Sequence, residues 1–366
     1  MDEKKRKKKR KRKLSKMSVI LITLIWLIAM SVTLIWFIDS IKNKNKLDSI
    51  KANIKIPEGF YYVGGDIDSG VIISDNKQDE FKGTKYETLT KLQGNQFVWV
   101  PVEKAIADNF QEAKKMVSEG KNPLAIKYNN DYKRINYVFD SYYKSYTIIE
   151  EDYSKNETTE PYIVKGEIYG DSEEYIEGST KGLYQTTFNK MVESVEKNKG
   201  FYISRFEVGN LENAVKNNEK VVSKPYQDDI TYQSWIDLYK IIRNMYDREY
   251  ITTEMIWGCQ WDATLVWILQ NPDLNKAVYN TKQIGNYYNK LEKTASDSKY
   301  TLNNIYDLAG NAYEWTQRGS DIGGRIAVGG SYLTDKSLNY SLGDKKVYGI
   351  TYLWKEVGTR MTMYVN

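Results

Sequence analysis

Residues 17–38, MSVILITLIWLIAMSVTLIWFI, run for 22 positions without a charge, and that run limits what the chain can be more than any other feature. At the rise of an α-helix it reaches about 33 Å, enough to cross the hydrocarbon core of a bilayer. A cleaved leader is the competing reading, yet the apolar part of a leader spans about 7–15 residues and closes on small side chains. Here Ala29 and Ser31 fall in mid-run, and the run gives way to Asp39, Ser40, Ile41 and Lys42. The sequence therefore predicts an uncleaved transmembrane anchor. Eleven lysines and arginines in residues 4–16 precede it, an asymmetry that places the N-terminus inside and the rest of the chain outside, as a single-pass protein of the cell membrane.

The same eleven side chains explain the basic balance. The formal net charge is +5 from 53 Lys+Arg and 48 Asp+Glu, but residues 17–366 carry 42 positive and 46 negative groups. A nucleic-acid partner is not expected, because the folded part has no basic excess to offer phosphates. The basic run is better read as a topology signal with affinity for anionic lipid. Cys259 is the only cysteine and histidine is absent. An intrachain disulfide and a cysteine-rich zinc site are thereby excluded, and the commonest general base and transition-metal ligand are both missing. Many Lys, Asn, Ile and Tyr with six prolines suggest bacterial coding.

Residues 39–55 are polar and lysine-rich, a partly helical stalk. A domain over 56–366 then opens with strand patterns at 56–65, 70–75 and 95–102. Residues 105–185 read as a charged, tyrosine-rich insertion holding one or two helices. Phe188, Met191, Val192 and Val195 follow helical spacing, with Gly200 as the expected stop. A strand over 201–210 is followed by amphipathic helices at Trp235 to Met245 and Trp261 to Leu269, and short strands with glycine turns close the chain. Strands, helices and strands without βαβ alternation predict an α+β fold. Trp99, Trp257, Trp261 and Trp267 are expected in the core, with Cys259 as a buried small hydrophobe.

One short segment is unusually polar for its tryptophan content. In IYDLAGNAYEWT (305–316), Asp307 and Glu314 supply two carboxylates, and a turn at Gly310 can bend backbone carbonyls toward the same point. An all-oxygen set suits a hard cation such as Ca2+. The bland alternative has both acids capping turns while Trp315 fills core.

Four segments in order, FYISRFEVGN, CQWDATLVW, NIYDLAGNAYEWT and RIAVGGSY with the closing GTRMTMYV, resemble the formylglycine-generating enzyme family, the sulfatase-modifying factors. The resemblance covers residue 56 to the C-terminus and is poor over 105–185. It implies a variant of the C-type-lectin fold and a structural Ca2+ held by the side chains of Asp307 and Glu314 and the carbonyls of Gly310 and Ala312. The family's oxidases use two cysteines after the Gly-Gly-Ser segment, and those positions are Thr334 and Asn339 here. Another branch binds iron through histidines, of which there are none. Neither copper nor iron is expected, and the chain is expected not to catalyse the family's reactions. Arg205 and Arg360 match family positions and read as buried arginines paired with acids, Glu207 being the candidate for Arg205.

The remaining expectation is binding. Residues 331–354 carry Tyr332, Asp335, Lys336, Tyr340, Asp344, Tyr348, Tyr352 and Trp354, where stiff aromatic area alternates with charge. Strand alternation buries some of these, and at least one of Tyr332 and Trp354 is expected inside. The sequence thus predicts an outward-facing binding or adhesion module with an extracellular protein or glycan as partner. A carboxylate-based hydrolase and a structural part of an envelope or phage-derived surface complex are the alternatives.

Overall fold

The computed structural model describes residues 16–140, 145–149, 178–210, 220–243, 245–246, 248–271, 284–287, 290–319, 324–335, 342–343 and 345–366. The chain divides into two units, residues 1–53 and 54–366. In the first, the helix Lys16–Lys51 runs for 36 residues. Its apolar stretch is wholly exposed, and it is the one helix among the described residues long and apolar enough to cross a membrane. Its few hydroxyls are satisfied within the helix: Thr23 Oγ1 donates to Val19 O at 2.9 Å and Ser31 Oγ to Leu27 O at 2.7 Å. Such bonding lets polar residues sit in an apolar span. The stalk over 39–55 is helical as far as Lys51, hence in part, as expected.

The second unit is α+β. Its main sheet has six antiparallel strands in the order Tyr61–Gly64, Ile72–Ser74, Gln96–Pro101, Gly200–Ser204, Met361–Val365 and Ile251–Met255. A second sheet of four strands runs Lys345–Tyr348, Arg325–Val328, Tyr313–Gly319 and Val357–Thr359, the last pair being parallel. The closing segment therefore serves both sheets. Val357–Thr359 lies in one and Met361–Val365 in the other, with Arg360 at the crossing.

Between these strands lies the helix Gly258–Leu269, in which every residue from Gly258 to Ile268 is buried. It lies inside the core although it carries Gln260, Asp262 and Thr264, and Trp99, Trp257, Trp261, Trp267 and Cys259 are buried as expected. Trp235–Arg243 is amphipathic and covers the strand Ile251–Met255.

The structure adds to one expectation and corrects another. Described residues between 105 and 149 form one helix, Phe110–Ser118, within the one or two expected, together with five short strands. Ala113, Met116, Leu124, Ile135, Tyr137 and Ile148 enter the common hydrophobic core. The pattern was hard to see because each strand is only two to five residues long. Gly200 is not the helix stop. The helix Gly178–Asn198 ends with Lys199 in the left-handed region, at φ 62°. Gly200 is required because a Cβ there would come within 2.4 Å of the Trp99 ring and of Val100 O.

Candidate functional site

Residues 305–316 begin as the second strand of a tight hairpin, Thr301–Leu302 with Ile305–Tyr306. Asp307, Gly310 and Asn311 then adopt left-handed backbone, at φ 57°, 73° and 59°. That conformation suits Gly, Asn and Asp. Gly310 has a further reason, since a Cβ on it would lie 2.4 Å from Asn286 O. These turns aim the motif's acids inward, where Glu207 and Asp229 join them. All four are buried.

Glu314 is held in a fork. Arg360 donates from Nε to its two oxygens at 2.9 and 3.0 Å and from Nη2 at 2.6 Å, and also donates to Ser204 O and Tyr306 O. Arg360 is thus a buried arginine paired with an acid, as expected. Asp307 Oδ2 accepts from Ala295 N at 2.6 Å. Glu207 accepts from Asn311 Nδ2 at 2.6 Å and from Ala312 N at 3.2 Å. Glu207 is therefore not the partner of Arg205. Arg205 donates instead to Gln96 Oε1 at 2.7 Å and Asn304 O at 3.1 Å, and its guanidinium lies 5.5 Å from the rings of Phe206 and Tyr306. Ring, amide and carbonyl contacts stand in for an opposite charge, and Nη2 of Arg205 has no hydrogen-bond partner.

Asp229 differs from the other three acids. It is 7% exposed, and no side chain donates to either carboxylate oxygen. It lies over Gly358, where a Cβ would come within 3.1 and 3.3 Å of its two oxygens.

Four carboxylates and one guanidinium share this region, and their electrostatics reflect the imbalance. Burial, then the neighbouring acids, push the carboxyls of Glu207 and Asp229 well above the usual range. Burial lifts Asp307 to about 7 against the pull of the Ala295 N–H and Arg360. Glu314 is raised by burial despite its arginine. Among the described residues no three acids or thiols converge closely enough to hold a metal ion by themselves.

A cavity of about 910 Å³ adjoins the cluster, lined by Tyr226, Asp228, Asp229, Glu292, Lys299 and Tyr300 among others. Its loop is clamped to the motif, since Glu292 N donates to Asn311 Oδ1 at 3.0 Å and Ala295 N reaches Asp307. Two acids at the cavity are ion-paired, Asp228 with Lys293 at 3.3 Å and Asp297 with Lys299 at 2.9 Å.

Of the metal set read from the sequence, Asp307 and Glu314 belong to this cluster. Gly310 and Ala312 are on the same turn, their N–H groups donating to Gly329 O and Glu207. Of the binding set, Tyr348 is buried beside Tyr313, Trp315 and Trp354, with ring centroids 5.7, 5.7 and 4.9 Å away. Trp354 and Tyr332 are both half-buried, so the expectation that one of them lies inside is not met and Tyr348 takes that place. Tyr352 is 66% exposed, 6.0 Å from the Trp354 ring, and Asp335 is exposed. Lys336, Tyr340 and Asp344 lie outside the described residues, as does Asn339. Thr334 Oγ1 accepts from Ser331 N at 3.0 Å, a turn-forming contact.

Sequence reasoning missed Glu207 and Asp229 as members of the acid cluster. Glu207 could have been found as an acid at the end of an apolar strand run. Asp229 had no signal, because its neighbour Asp228 is exposed and only the fold separates them.

No known family matches the chain, and no curated protein matches it. Among solved structures, CarF is similar over 46% of this chain and 87% of its own, at 14% identity and a TM-score of 0.35. The Treponema denticola variable protein 1 is similar over 45% and 84%, at 13% identity and 0.34. PvdO from Pseudomonas aeruginosa is similar over 46% and 81%, at 11% identity and 0.30. What the fold defines is an α+β unit preceded by a helix of membrane-spanning length and composition.

Proposed function

We infer that this chain is a membrane-anchored, extracytoplasmic binding module that performs no catalysis, built on the formylglycine-generating-enzyme variant of the C-type-lectin fold. The observation that carries the reading is the aromatic row of Tyr348, Trp354 and Tyr352. Its inner ring is buried, its middle ring is fixed by Trp354 Nε1 donating to Gly349 O at 3.1 Å, and its outer ring is free to meet a ligand. Rings held from beneath present stiff contact area at little entropic cost. The lone thiol supports the non-catalytic part: Cys259 is buried and its pKa is pushed up to about 12 by burial, the condition of an inert cysteine.

Calcium belongs to the same reading, as a structural ion beside Asp307. Four buried carboxyls against one arginine have to be held either protonated or beside a cation. The donors are all oxygen, which fits Ca2+.

The test is to apply the full-length chain in lipid nanodiscs to a glycan array, to peptidoglycan and to immobilised matrix proteins. The reading predicts retention on at least one ligand that is returned chemically intact, and loss of most of that retention in Tyr352→Ala with an unchanged melting temperature. Cleavage of a glycan by the wild type would overturn it in favour of the hydrolase.

A further inference from the structure

The ledge of Tyr348, Trp354 and Tyr352 is built more closely than a row of rings requires. Tyr352 is seated on Gly349, where a Cβ would come within 2.6 Å of the ring's Cδ2 and 3.1 Å of its Cε2. One side edge of the ring therefore lies along the backbone, and the ring rests on the surface rather than standing out from it. A second tyrosine borders the row. Tyr232 N donates to Trp354 O at 2.9 Å, and the Tyr232 side chain is 58% exposed. It holds a left-handed backbone, at φ 61°, which is uncommon for a bulky residue and persists only where the surroundings enforce it.

A positive charge is fixed at the same ledge. Lys346 is exposed and places its ammonium 4.9 Å from the Tyr348 ring centroid and 5.3 Å from that of Tyr313. It forms no ion pair among the described residues. Lys355, next to Trp354 in sequence, is exposed as well, whereas Glu356 is half-buried and accepts from Tyr348 Oη at 3.5 Å. A held ammonium beside open rings is complementary to a ligand that carries both an anion and an apolar face.

Size narrows the class. Tyr232, Tyr352 and Leu353 are 58%, 66% and 48% exposed. At about 150–250 Å² for a side chain of aromatic size, their open area is on the order of 350 Å². That is less than half of the roughly 800 Å² that each side of a stable protein complex covers. A patch of this size suits one or two sugar rings, whose C–H faces lie on an aromatic ring while their hydroxyls stay in water. A bilayer is the poorer fit, since insertion calls for apolar side chains that project, and Tyr352 lies along Gly349.

We propose that this ledge takes an acidic polysaccharide, with a sugar ring on Tyr352 and Tyr232 and its carboxylate or sulfate at Lys346. The inference rests on the binding reading above and names the ligand class for it; Tyr232 and Lys346 are the contacts it adds.

The experiment is biolayer interferometry of the full-length chain, in nanodiscs of zwitterionic lipid, on four immobilised polysaccharides. Hyaluronate and polygalacturonate present carboxylates, heparin presents sulfates, and dextran is neutral; anionic vesicles and matrix proteins are run in parallel. Wild type is compared with Tyr232→Ser, Lys346→Gln and the control Lys114→Gln, an exposed lysine of the helix Phe110–Ser118, each melted to establish that it is folded. The control and the variants are needed because the basic residues 4–16 also attract polyanions. The expected result is an affinity for at least one acidic chain about tenfold or more above that for dextran. That affinity should fall about two- to fivefold in Lys346→Gln and about fivefold or more in Tyr232→Ser, and stay unchanged in Lys114→Gln. Acidic-chain binding that survives both variants overturns the inference and assigns that binding to the basic tail. Binding to dextran as tight as to the acidic chains, or to vesicles in their place, overturns it too. If a matrix protein is retained through Tyr352 while no acidic chain binds, this inference falls and the binding reading stands. If nothing is retained, both fall.

Discussion

Buried acids in this protein solve the same problem in different ways. Glu314 takes an arginine, Glu207 takes an amide and a backbone N–H, and Glu254 takes the indole of Trp257, whose Nε1 donates to Oε2 at 2.7 Å. An indole does not neutralise a carboxylate, and burial pushes Glu254 up to about 7. The unfolded chain releases that proton near the ordinary glutamate value of about 4.3, so between there and about 7 the native state holds more protons than the unfolded one. The stabilising contribution is complete below the unfolded value and is lost as pH rises through 7. Urea unfolding of the full-length chain should therefore show higher stability at pH 5 than at pH 7, with a smaller difference in Glu254→Gln. A stability that falls on acidification over that range would contradict the assignment. Asp307, Glu314 and Arg360 were legible in the sequence because short motifs carry them. Asp229 was not, because its burial depends on Gly358 arriving from the far end of the chain.

Among the elements, the strands 96–101 and 200–204 show how closely the main sheet is fitted. They pair from Phe97 with Ser204 to Pro101 with Gly200. At that last pair the Trp99 ring occupies the space a side chain on Gly200 would need. Gly200→Ala is predicted to cost roughly 1–3 kcal/mol through overpacking, measured by denaturant midpoint at constant slope. A neutral result would show that the Trp99 ring can yield. Five strands of this sheet were readable from their apolar patterns, whereas Ile251–Met255 was missed because two threonines and a glutamate break its run. The strands just after residue 105 were not readable, because polar and charged side chains occupy their outer faces. One of their attachments is likewise invisible to periodicity: Lys345 Nζ donates to Tyr137 O at 2.9 Å and to Asp262 at 3.0 Å. Burial, opposed by Asp262, draws that lysine down to about 8.

At the scale of the whole molecule, the closing segment joins the two sheets and Arg360 stands where it passes from one to the other. Its guanidinium binds Ser204 O, Tyr306 O and Glu314, which belong to three different parts of the fold. Beside that junction lie three further buried carboxyl groups, so the place that unites the fold also concentrates acids. The α+β class and the long apolar helix were legible from pattern and length alone. The acid cluster was not, since it exists only once four distant acids are brought together. The account turns on a cation beside it, and the most direct measurement is the melting temperature of the full-length chain in detergent at pH 7, in millimolar calcium and in chelator. The account predicts a clear rise with calcium. Equal melting temperatures in the two conditions would contradict it, leaving the cluster to be stabilised by protons alone.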